Sequence, residues 1–143
     1  MEIYTGIPKS FEAKRRIIKH DILNGFEYII TSLGSHPCAY VVIGKEHPLY
    51  EVDLVNHLGV VHGGVTYCEK SLSPVISLFD EKWIIGWDYA HYDDFVGYNF
   101  EHDDWGNVKG KMWTVDEIMK DVQLMVDFLK DEPPKWLLEV VDD

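Results

Sequence analysis

A chain of 143 residues fits one domain and can bury about two-thirds of its unfolded surface without disulfide or metal staples. Its 46% hydrophobic and 27% charged content, with five Trp, eight Tyr and six Phe, excludes a disordered chain, and apolar runs as short as AYVVIG (39–44) exclude a membrane-spanning helix. A net charge of −12 argues against direct binding to DNA, RNA or anionic lipid, all of which repel it.

The charge is uneven. Residues 1–86 hold ten acids against eight bases, whereas residues 87–143 hold fifteen acids against five bases. Such a surface is drawn to basic protein, including protein that normally holds nucleic acid. Cys38 and Cys68 are the two cysteines, and neither belongs to a CxxC pair, so neither a disulfide framework nor a thiolate zinc site is expected. With no charged-then-apolar leader opening the chain, a reducing cytoplasm is the expected setting.

In chain order, KRRIIKHDILNGFEYII admits a helix from an Ser10 N-cap to Gly25, but Asn24-Gly25 between alternating runs favours a hairpin. FEYIITSL supplies the second strand, and CAYVVIG follows as a third. His47-Pro48-Leu49 reads as a turn into a loop. VVHGGVTYCEK (60–70) reads as a strand interrupted at Gly63-Gly64, by a bulge or a close backbone approach. PVISLF and WIIGWDYA are further apolar runs around a turn-like Asp80-Glu81-Lys82, and residues 93–111 read as a long acidic loop.

Thr114 to Glu117 forms a capping box, and Val115, Ile118, Met119, Val122, Met125, Val126 and Leu129 follow at helical spacing. Asp131-Glu132-Pro133-Pro134 stops that helix. The expected fold is α+β: residues 1–143 as a single domain, with an antiparallel sheet and a C-terminal amphipathic helix at about 114–130 packed on it.

The ionisable residues cluster in GWDYAHYDDF (86–95). On an extended strand Asp88 and His91 would face opposite ways; a turn after Trp87 would bring Asp88, His91 and Asp94 together. Imidazole and carboxylate suit zinc or another divalent metal, and His62, beside Gly63-Gly64, would add a second nitrogen. Asp93 is out of step and faces solvent. A solvated loop is the plain alternative, although four flanking rings (Trp87, Tyr89, Tyr92, Phe95) gain little from full solvation. No nucleophile elbow, P-loop or dinucleotide glycine motif occurs, and nothing near Cys68 activates it as a nucleophile. Catalysis, if present, would run through metal-activated water.

The order HPLY (47–50), VHGGVTY (61–67) and WIIGWDYAH (83–91) resembles a family of small bacteriophage and prophage proteins, most without an assigned activity. The likeness covers about residues 36–94, with a similar helix near the end. It implies that His62, Asp88, His91 and Asp94 are the motif's ionisable positions and that His47 is its His-Pro histidine. Trp87 and Tyr92-Asp93 stand where the pattern has Phe and small residues, which crowds the site and suits a structural metal better than a hydrolase.

Small phage accessory proteins often antagonise bacterial defence. The resemblance and the acidity together imply a non-enzymatic, anti-CRISPR-like inhibitor in the cytoplasm of the bacterial host. It would cover the basic channel of an RNA-guided nuclease with acids such as Asp93, Glu101, Asp103 and Asp104. A metal-dependent hydrolase using the His/Asp cluster is one alternative. A binder that sequesters nucleotide immune signals, with the HGG amides on phosphate, is another.

Overall fold

The computed structural model describes residues 16–32, 36–89 and 113–141. Asn24 (φ 51°) and Gly25 (φ 88°) both take positive φ, as a two-residue hairpin turn matched to strand twist requires. They join β1 (Arg16–Leu23) to β2 (Phe26–Ser32), and β3 (Pro37–Gly44) pairs antiparallel with β2. β4 (Tyr67–Glu69) and β5 (Lys82–Asp88) complete a five-stranded antiparallel sheet in the order β1-β2-β3-β5-β4. β5, the last of the described strands in sequence, is thus inserted between β3 and β4. The fold is α+β, as the pattern of alternating strands and one amphipathic helix predicts.

Alternation gives each sheet face its own core. Tyr28 and Ile30, then Ala39, Val41 and Ile43, then Trp83, Ile85 and Trp87 point to one face. There they meet Ile118, Val122, Met125, Val126 and Leu129 of α1 (Val115–Lys130). The loop between β3 and β4 adds Leu49, Leu54, Leu58, Val61 and Val65 to the same core. Ile29, Tyr40, Val42 and Ile84 face the other way, under Leu72 and Ile76. Glu27 braces the hairpin, accepting from His20 (2.7 Å) and from Lys82 of β5 (3.0 Å). Burial works to raise the pKa of Glu27, but these two partners outweigh it and hold the carboxyl below its ordinary range.

α1 begins as its capping box predicts: Thr114 Oγ1 accepts from the Glu117 amide, and the Glu117 carboxylate accepts from the Thr114 amide at 3.1 Å. Val115 and Met119 are half-buried, at the margin of the apolar stripe. One expectation needs correction, and two further elements add to the pattern. In the run 60–70 only Tyr67–Glu69 pairs, because Gly63 and Gly64 at positive φ (73° and 81°) turn the preceding chain. At the apolar run PVISLF, Leu72 and Ile76 bridge across a tight turn, and Leu78–Asp80 form one 3-10 turn. Beyond Pro133-Pro134 the chain re-enters a helix, α2 (Lys135–Val141), anchored by the fully buried Leu137.

Candidate functional site: an aromatic–carboxylate cluster and an acidic cleft

The turn at Gly63-Gly64 is closed by the Gly64 amide donating to Val61 O at 2.9 Å. A Cβ on Gly64 would stand 3.3 Å from Leu58 O, so backbone does approach closely here. The turn lays His62 flat on Tyr89, with ring centroids 5.2 Å apart and planes 2° from parallel. Trp113, just ahead of α1, completes a three-ring contact at 4.6 Å from His62 and 4.9 Å from Tyr89.

Tyr89 continues the ladder one residue past β5, its amide donating to Pro37 O at 3.1 Å. Its hydroxyl accepts from Trp87 Nε1 (2.9 Å) and donates to Asp121 Oδ2 on α1 (2.6 Å). The same carboxylate oxygen accepts from the His62 amide at 3.4 Å. Strand end, glycine turn and helix are therefore pinned by one charge-assisted chain of hydrogen bonds. Asp121 follows Ile118 by three and precedes Met125 by four, which puts it on the core side of α1. An acid on the edge of an apolar stripe is the sequence signal that marks it, and the sequence reading passed over it.

His62 and Asp88 are not brought together. Trp87 and Tyr89 share the helix-covered face with His62, so Asp88 between them projects to the opposite face, where Thr66 Oγ1 donates to it at 3.4 Å. His47 is engaged elsewhere again. Its Nδ1 accepts from the Leu49 amide (3.0 Å) and its Nε2 donates to Leu129 O (2.8 Å), tying the His-Pro turn to the end of α1. His91, Asp93, Asp94, Glu101, Asp103 and Asp104 lie outside the described residues. Among the described residues no three His, Cys, Asp or Glu side chains gather as a metal ligand set.

Cys68 is a poor nucleophile. Burial raises its pKa to about 11, against a smaller opposite effect of the Leu54 amide, which donates to its sulfur at 3.4 Å. The thiol stays protonated at neutral pH.

The second feature is an open cleft of about 920 Å³ at the end of the sheet where α1 terminates. Among the described residues, Glu46, Asp80, Glu81, Asp131 and Glu132 line it, against Lys45 and Lys130. Lys45 already pairs with Glu81 at 3.0 Å. The C-terminus of α1 adds the negative end of its dipole to the same space. This arrangement attracts cationic groups.

No helix among the described residues is long and apolar enough to cross a membrane. Compared with known proteins, the chain matches no family model, no curated protein and no solved structure.

Proposed function

We propose that this chain is a non-catalytic acidic binding module that covers a Lys/Arg-rich protein surface of the kind that holds nucleic acid. The partner we infer is a bacterial RNA-guided nuclease. The observation that carries the reading is the cleft at the end of α1, where five carboxylates and a helix C-terminus face two lysines. It lies in a chain whose last 57 residues hold fifteen acids against five bases. Charge concentrated in this way speeds encounter with a basic partner and makes the complex sensitive to salt. The resemblance to phage and prophage proteins supplies the host-defence setting.

The test is DNA cleavage by a panel of purified RNA-guided nucleases, with the protein added before or after guide RNA. The expected outcome is inhibition of at least one nuclease, strongest when the protein is added first. Full cleavage throughout the panel sinks the reading.

Zinc stays in the proposal only at the end of β5, with Asp88, His91 and Asp94 as ligands, since His62 faces the other side of the sheet. There the ion would hold the segment after Asp88 in place. Elemental analysis of the purified protein should find stoichiometric metal that His91→Ala removes; metal-free wild-type protein rules the ion out.

A further inference from the structure

The cleft begins at Asp80, the residue after the most exposed large apolar side chain among the described residues. Phe79 is 86% exposed and its neighbour Leu78 57%. Scattered apolar residues on a surface are ordinary, but two adjoining ones held rigidly in the open are not. Ser77 Oγ accepts from the Phe79 amide at 3.1 Å, and Asp80 Oδ2 accepts from the Ser77 amide at 2.8 Å. Glu81 then reverses the chain in the left-handed region (φ 61°), held by its ion pair with Lys45. On the other side, Leu72 and Ile76 bond to each other through both backbone groups and are buried in the second core. The 3-10 turn is therefore fixed at both ends, and little conformational freedom is left to lose when its side chains are covered.

We infer that Leu78 and Phe79 are the apolar anchor of a docking surface, and that its occupant is a protein segment carrying Lys or Arg beside an apolar residue. The inference deepens the function proposed above and rests on it for the charge argument. An aromatic anchor beside a polar, charged rim is the common arrangement of an interface hot spot. Here the rim is Asp80 and Glu81, continuing into Glu46, Asp131 and Glu132 across the cleft. A second copy of this chain is disfavoured, because a two-fold contact would set the same carboxylates against each other. Anionic lipid is disfavoured by the same charges.

The test pans a displayed random-peptide library against the immobilised full-length protein. Recovered peptides are then titrated against wild type, Phe79→Ser and Phe79→Leu. Phe79 is too exposed for these changes to unfold the chain, and an unchanged thermal midpoint checks that. Recovered peptides should pair Lys or Arg with an aromatic or aliphatic residue, bind Phe79→Ser at least tenfold more weakly, and recover part of that loss with Phe79→Leu. No enrichment, peptides without basic residues, or affinity indifferent to Phe79→Ser overturns the inference. So does a wild-type dimer in sedimentation that Phe79→Ser dissolves, since the patch is then a self-contact. Peptides that behave as expected while no nuclease is inhibited keep the anchor and remove the nuclease.

Discussion

Tyr89 shows how one hydroxyl can hold three stretches of chain. It is 1% exposed, and its oxygen stands between the Trp87 indole and the Asp121 carboxylate. Tyr89→Phe keeps the ring stack with His62 and Trp113 but strands the buried Trp87 donor and removes the shortest bond to Asp121. The expected cost is about 1–3 kcal/mol, read as a lower urea midpoint; an unchanged midpoint would show that the hydroxyl contributes nothing. Cys68 offers a pH test. Its folded pKa of about 11 lies above its ordinary value of 9.0, so the unfolded thiol ionises first. The stability this shift provides is present below the ordinary value and is lost as pH rises toward the folded one. A thiol-specific reagent should therefore react slowly with native protein at neutral pH and quickly once urea unfolds it. Equal rates would contradict the burial.

At the scale of elements, β5 joins β3 to β4 inside the sheet, and Gly86 makes its packing possible. Gly86 pairs with Tyr40 on β3 and with Tyr67 on β4, whose rings meet edge to face at 5.3 Å. A Cβ at Gly86 would fall 2.7 Å from Tyr40 Cε1 and 3.2 Å from Ala39 O. Gly86→Ala should destabilise by about 1–3 kcal/mol, the usual range for overpacking, and lower the thermal midpoint. A midpoint at or above wild type would mean that the tyrosine pair yields freely. What the sequence made legible at this scale was local chemistry. The Asn24-Gly25 turn and the Thr114 capping box announce themselves because their own side chains and φ angles complete the structure. In VVHGGVT the break at Gly63-Gly64 is legible, but the strand on its N-terminal side is not formed, because two positive-φ glycines outweigh the β-propensity of the valines. α2 was missed because its only described anchor, Leu137, owes its burial to distant residues rather than to a periodic stripe. The candidate site divides in the same way. Carboxylate and imidazole positions could be enumerated from GWDYAHYDDF, but which sheet face each side chain takes depends on where β5 stops being a strand. Asp121, from an element 32 residues later, could not be paired with Tyr89 before the fold was known.

For the whole molecule, the sheet and α1 form a frame that gathers carboxylates from three separate stretches of chain (Glu46, Asp80-Glu81 and Asp131-Glu132) at one cleft, with Leu78 and Phe79 beside Asp80 at its edge. The frame explains how an acidic composition becomes a directed surface rather than a diffuse charge. On the function proposed above, this surface competes with nucleic acid for a basic partner. Its most direct test is displacement of fluorescent guide RNA from an RNA-guided nuclease by the protein, at about 50 mM and about 200 mM salt. Displacement is expected at the lower salt and should weaken about tenfold or more at the higher, as screening removes long-range attraction. Guide RNA that stays bound at saturating protein, or displacement equally strong at both salts, would contradict it.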